Sequence, residues 1–308
     1  MKTPLIRSKK LSALNCCNVW LKMESSQVTG SFKERSIGHA CTQYAKQGAK
    51  KFISSSGGNA GIAVAYIGHQ LNIPVTVIVP KTTSKTAIEL MRKDHAEVIV
   101  HGDSWLEANE LALSYVTEEN IYIHPFDDPY LWEGISTIVD EIINDGVTPD
   151  AIVLSIGGGS LLSGIQHGLK KHKLNIPVYA VETEGTASLN TAMQKKQHIT
   201  LDKVTGIATT LAAKKICKHA FDLSQQEQIV GVTVSDLDAL KACFEFLDDH
   251  RTLVEPACGA ALSVLYDQKV EFSHLSDVLV IVCGGATTSL NHLLDLSKDL
   301  SFNPKKSL

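Results

Sequence analysis

Residues 51–61 read Lys51-Phe52-Ile53-Ser54-Ser55-Ser56-Gly57-Gly58-Asn59-Ala60-Gly61. A short apolar run passes through serines and glycines into a stretch with helical spacing. That is a strand entering a helix, the unit from which parallel sheets are built. The same punctuation recurs at 151–161, where Ala151-Ile152-Val153-Leu154-Ser155 leads through Ile156 and three glycines to Ser160 and Leu161. Further strand-like runs lie at 75–79, 97–100, 121–123, 178–181 and 278–283, with helical spacing at 86–93 and 105–116. The runs are continuously apolar rather than alternating, as in sheets covered by helices on both faces. The expected fold class is therefore α/β with mainly parallel sheets. The four runs between about 50 and 125 suit a small sheet of their own, and the later ones a larger sheet.

Composition narrows the function classes. Of 308 residues, 44% are hydrophobic and 20% charged, with Lys+Arg 29 against Asp+Glu 33, a net charge of −4 and no basic stripe. A nucleic-acid partner is not expected, and no apolar run approaches the roughly 20 residues of a membrane span. Seven cysteines, at 16, 17, 41, 217, 243, 258 and 283, form no C-x-x-C pair, and the 12 histidines show no H-E-x-x-H spacing. Neither a disulfide framework nor a zinc site is indicated. The cysteines read as small apolar residues of a cytoplasmic chain. No internal repeat is visible, and the segment after Leu300 is expected to fray.

Four strand or loop ends carry unusual chemistry. Gly30-Ser31-Phe32-Lys33 places a lysine at a helix start. If desolvated there, its amine is neutral and nucleophilic; taken alone, among 29 basic residues, it reads as an ordinary surface lysine. Ser54 to Gly61 converges hydroxyl and N–H donors at a helix N-terminus, a carboxylate site or a plain capped turn. Gly157-Gly158-Gly159-Ser160-Leu161 reads as a phosphate cradle or a tight turn. It lacks the Lys of a Walker A loop, and Leu162 spoils both G-x-G-x-x-G and G-x-S-x-G. Val282-Cys283-Gly284-Gly285 ends the last strong run with a thiol between strand and glycines; by itself it suits a core position. Glu255-Pro256 reads as a helix start with proline early.

Together these motifs, in this order, resemble one family. KMESSQ (22–27), TGSFKERS (29–36), SSSGGNAG (54–61), GGGSL (157–161), VYAVET (178–183), LVEPACGAAL (253–262) and VIVCGG (280–285) resemble the fold-type II, tryptophan synthase β-like, pyridoxal-phosphate enzymes. Within them the chain resembles the catabolic L-serine/L-threonine dehydratases, from about residue 3 to 300. The resemblance implies two open twisted sheets, a smaller domain (34–125) inserted in a larger one (1–33 and 126–308), and a homodimer.

It also implies site roles. Lys33 is similar to the Schiff-base lysine, and Phe32 to the residue stacked on the pyridine ring. Asn59 matches the holder of the cofactor's 3′ oxygen. Ser56, Gly57, Asn59 and Ala60 match the loop gripping the substrate carboxylate. Gly157, Gly158, Gly159, Ser160 and Leu161 match the phosphate loop, and Cys283 the partner of the pyridine nitrogen. Glu182, with carbonyls of Gly157, Thr186, Leu211 and Ala213, resembles a monovalent-cation site, for K+. Ser160 stands where many relatives carry a fourth glycine. Thr210 stands where relatives commonly place a small apolar residue against the other cofactor face.

The implied reaction is β-elimination, giving pyruvate from L-serine, or 2-oxobutyrate from L-threonine, with ammonia. A neutral thiol at Cys283 would make the electron sink mild and favour expulsion of the β-hydroxyl. A racemase of this fold needs a base, typically serine, where Gly57 stands. A cysteine synthase-like enzyme usually has Ser or Thr in place of Cys283. A catalytically silent paralogue would not be expected to keep Lys33, Asn59 and Cys283 together.

Overall fold

The structure, a computed structural model, describes residues 2–304. Its strands are β1 (Leu5–Ser8), β2 (Asn18–Lys22), β3 (Lys51–Ser54), β4 (Val75–Val79) and β5 (Glu97–Val100). They continue with β6 (Asn120–Tyr122), β7 (Ala151–Ser155), β8 (Val178–Thr183), β9 (Ile229–Val234) and β10 (Asp277–Ile281). The helices begin with α1 (Lys9–Asn15), α2 (Lys33–Lys46), α3 (Asn59–Leu71), α4 (Lys85–Lys93), α5 (Trp105–Ser114) and α6 (Pro129–Asn144). After these come α7 (Ser160–Lys171), α8 (Ser188–Lys195), α9 (Lys218–Gln226), α10 (Asp236–His250), α11 (Pro256–Tyr266) and α12 (Leu290–Asp299).

Two sheets result. One has the order β1-β2-β10-β7-β8-β9, the other β5-β4-β3-β6. Every pairing is parallel except β1 with β2. β4 and β7 are buried along their whole length, which is why their sequences run apolar without alternation. α11 is likewise buried at all its residues, and its Ala, Gly and Cys side chains let it pack closely against α10 and the large sheet.

The expected strands all exist: those at 75–79, 97–100 and 151–155 match end for end, and the other four have ends shifted by one or two residues. The run at 278–283 pairs only as far as Ile281, so Cys283 lies in the turn beyond the strand. Three strands escaped sequence reading: β1 and β2, short and mixed with polar residues, and β9, an edge strand exposed at Val230 and Thr233. The fraying expected after Leu300 is corrected for Ser301 to Pro304. The Phe302 ring lies 6.0 Å from that of Phe244, and its N–H donates to the Ser297 carbonyl at 2.8 Å. The rest of that segment lies outside the described residues. Among the described residues all seven cysteines are free thiols, five of them buried. No helix there is long and apolar enough to cross a membrane.

Candidate active site

Three helices start at the residues singled out by sequence. Lys33 is the first residue of α2, Asn59 of α3 and Ser160 of α7. Neither α3 nor α7 carries a side-chain cap at its N-terminus. Their first N–H groups therefore keep their capacity for an anion. Gly159 makes the α7 entry possible: its φ of 101° is a left-handed conformation that a side chain would strain. A Cβ on Gly158 would lie 2.2 Å from the Phe126 ring.

The Lys33 amine sits where these elements meet. It donates to the Pro125 carbonyl at 2.6 Å and to the Ser160 hydroxyl at 3.1 Å. Desolvation lowers its pKa to about 8, against the opposing pull of the Cys217 and Cys283 thiols. This is the environment that yields a neutral, nucleophilic amine near neutral pH. The amine also lies 4.9 Å from the centroid of the neighbouring Phe32 ring.

The turn after β10 ties the lysine to Asn59. Phe32 N–H donates to the Cys283 carbonyl at 3.1 Å, Gly285 N–H to the Gly30 carbonyl at 2.9 Å, and Ala286 N–H to Asn59 Oδ1 at 3.0 Å. Gly284 has φ 97°, and a Cβ there would lie 2.2 Å from the Gly30 oxygen. The two strand-end glycines thus let the backbone carrying Cys283 press against the loop carrying Lys33. The Cys283 thiol is held well above its ordinary pKa, first by a hydrogen bond with Cys258, then by burial. It stays neutral.

Several partners of the site carried no clear signal in the sequence. Asn59 Nδ2 donates to Glu255 Oε1 at 2.9 Å, and Thr210 Oγ1 donates to the same oxygen at 2.7 Å. Burial pushes the Glu255 carboxyl up to about 7, against the two donors. The Glu-Pro start of α11 offered one clue: this carboxyl precedes the helix, yet its side chain does not cap it. His124 Nδ1 accepts from the N–H groups of Phe126 and Asp127 at 3.2 and 2.8 Å. Burial lowers its pKa against the pull of Asp127, and because Nδ1 accepts, the proton of the neutral ring resides on Nε2.

Other expected residues take these places. Ser56 Oγ accepts from Gly58 N–H at 3.3 Å, and Ala60 and Leu161 are buried in the first turns of α3 and α7. Ser160 reaches the lysine amine. Glu182, buried near the end of β8, accepts from the N–H groups of Leu189 and Asn190 at 2.8 Å each, at the start of α8. Burial raises its carboxyl to about 7. The Leu211 carbonyl accepts from Ala213 N–H at 2.7 Å. Among the described residues no group of three or more His, Cys, Asp or Glu side chains is placed to hold a metal ion.

The arrangement fits pyridoxal phosphate. An uncapped helix N-terminus behind a glycine cradle suits its phosphate, a desolvated amine beside that cradle suits its aldehyde carbon, and a neutral thiol suits its ring nitrogen. The Ser31 hydroxyl, two residues before the lysine, is buried without a partner.

Comparison with known proteins agrees. The family model described as pyridoxal-phosphate dependent enzyme matches residues 1–284. L-serine dehydratase of Dictyostelium discoideum is 43% identical, over 97% of this chain and 92% of that protein. L-serine dehydratase/L-threonine deaminase of Homo sapiens is 42% identical, over 97% and 95%. The crystal structure of a fungal L-serine ammonia-lyase from Rhizomucor miehei superposes with a TM-score of 0.92 at 35% identity, covering 97% of this chain and 98% of that one. With its lysine, glycine cradle and strand-end thiol assembled in one place, the chain belongs to the pyridoxal-phosphate-dependent enzyme family.

Proposed function

We propose that the protein dehydrates L-serine, and L-threonine with it, releasing ammonia and the 2-keto acid. The observation that carries this reading is the desolvated Lys33 amine, bonded to the first residue of the glycine-cradled helix and close to the neutral Cys283 thiol. Relatives named for this reaction, at 42 and 43% identity over nearly the full chain, support it.

Pyridoxal phosphate, when bound, supplies an electron sink for negative charge developing at the substrate α-carbon. Gly157 to Leu161 would hold its phosphate at the start of α7, and Asn59 would hold the 3′ oxygen. Cys283 would serve the ring nitrogen without protonating it, and Phe32 would support the ring. Ser56, Gly57, Asn59 and Ala60, at the uncapped start of α3, take the substrate carboxylate. Lys33 Nζ would anchor the cofactor and, freed when the substrate amine takes its place, would accept the α-proton. The β-hydroxyl would leave with its bonding pair and take up the proton held by Lys33 Nζ, departing as water. Lys33 Nζ, again a neutral amine, would then retake its place and release the product amine as a free enamine, whose hydrolysis gives the keto acid and ammonia.

The same reading treats 1–33 with 126–308 as one domain and 34–125 as the other. In its support, β3 to β6 make one sheet and the remaining strands the second. It makes Glu182, with the carbonyls of Gly157, Thr186, Leu211 and Ala213, the seat of a monovalent cation such as K+. It also takes the enzyme as a cytoplasmic homodimer, with the free thiols favouring a reducing compartment.

The test is keto-acid release from L-serine, L-threonine and D-serine by cofactor-loaded protein, beside Lys33→Ala. Turnover of the L-substrates that vanishes with the lysine is the expected result. D-serine formation as the main reaction, or turnover surviving Lys33→Ala, overturns the reading.

A further inference from the structure

Thr210 is exposed and sits in the short turn Thr209–Leu211, between the two ligand loops. Its carbonyl would lie 3.0 Å from a Cβ on Gly157, and its methyl 3.8 Å from one on Gly58. Its hydroxyl shares Glu255 Oε1 with Asn59. The Asn59 amide is thereby fixed at both ends. Oδ1 is taken by Ala286 N–H and one Nδ2 hydrogen by Glu255, which leaves a single N–H to offer.

Glu255 itself is an expensive feature. It is 5% exposed and, among the described residues, takes part in no ion pair with a lysine, arginine or histidine. The titratable groups around it are thiols: Cys243 on α10, Cys283 after β10, and Cys258, which bonds Cys283, on its own helix. A lone buried carboxyl surrounded by thiols contributes little to packing that a leucine or glutamine would not. What it does here is hold an amide.

We infer that Thr210 and Glu255 are positioning residues that together aim the remaining Asn59 N–H into the cofactor site. The inference rests on the proposed role of Asn59 toward the cofactor's 3′ oxygen.

The test uses full-length protein and two readouts besides turnover: apoprotein affinity for pyridoxal phosphate, and the visible circular-dichroism band of the bound cofactor. Thr210→Val removes the hydroxyl at nearly constant volume from an exposed position, so folding is not at risk. It should weaken affinity about fivefold and shift the band. Thr210→Ser should restore both to within about twofold. In a Glu255→Leu background, which leaves no oxygen to share, the Thr210→Val effect should shrink below about twofold. An unchanged band in Thr210→Val, a serine variant that behaves like valine, or full additivity with Glu255→Leu would each overturn the inference. Asn59→Ala separates the two layers. If it leaves band and affinity unchanged, the placing of Asn59 falls and takes the inference with it. If it alters them while Thr210→Val does not, only the inference falls.

Discussion

The Lys33 amine and the Ser160 hydroxyl lie 3.1 Å apart, which joins the first residue of α2 to the first residue of α7. The proposed anchor and the proposed phosphate loop are therefore already joined by a hydrogen bond. Ser160→Gly should fold normally and lower cofactor affinity by about fivefold. Turnover at saturating cofactor should stay within about tenfold of wild type. A titration of apoprotein with pyridoxal phosphate measures the first, keto-acid release the second.

Covalent capture of the cofactor requires the neutral amine, and desolvation sets the Lys33 pKa at about 8. The rate of cofactor uptake by apoprotein should climb as pH rises through about 8 and flatten above it. An ordinary lysine would keep climbing toward 10.5. Stopped-flow absorbance between pH 6 and 10, spanning roughly two units either side of that value, distinguishes the two profiles.

Glu255 is raised from its ordinary 4.5 to about 7 by burial. A carboxyl whose folded pKa lies above its unfolded one contributes stability at low pH, and loses it as pH rises from the unfolded value through the folded one. The window here is about 4.5 to 7, and the loss is on the order of 3 kcal/mol. Glu255→Gln accepts the same two donors without titrating. Urea unfolding of apoprotein at several pH values should show the variant gaining on wild type across that window. Parallel curves would contradict this. Glu182, with a similar shift, leaves part of the slope in both proteins.

A Cβ on Gly57 would meet Thr83 Oγ1 at 2.4 Å, Cγ2 at 2.9 Å and Cβ at 3.2 Å. Because three atoms of one short side chain crowd that point, a rotamer change does not clear it. Gly57→Ser should therefore depress L-serine turnover by at least about tenfold, a steric loss of 1–3 kcal/mol. Adding Thr83→Ala should recover most of it. D-serine formation, followed by chiral chromatography, is expected only in the double variant.

Arg35, two residues after the lysine, donates to Glu24 at 2.7 and 3.1 Å and to Glu141 at 2.6 and 3.1 Å, while the buried Lys22 pairs with Glu141. The pairs hold the guanidinium above its ordinary pKa despite desolvation. Arg35→Met strands the fully buried Glu24 and should cost about 3–5 kcal/mol in apoprotein unfolding. Because α2 starts at Lys33, cofactor affinity should fall with it.

The sequence made the parallel sheets legible because β3, β4, β7 and β8 are apolar runs with loop punctuation at their ends. β1 and β2 were hidden because they mix polar with apolar residues as loops do, whereas β9 is apolar and β-branched but interrupted by Gly231. Within the site, the glycine loops and the lysine announced themselves through rare local composition. Glu255 did not, since a glutamate before proline reads as a helix start whatever its side chain does. The Thr210 hydroxyl was visible as a departure from relatives, but its partner lies 45 positions away and only folding brings the two together.

The antiparallel bridge between Ser31 and Gly284, with β2 seated beside β10, has a consequence for synthesis on the ribosome. The anchoring loop emerges among the first residues made, yet its mate in that bridge is translated some 250 residues later. Vitamin capture by this lysine must then wait for the last strand to be threaded home, so a nascent chain stalled before that point would be colourless.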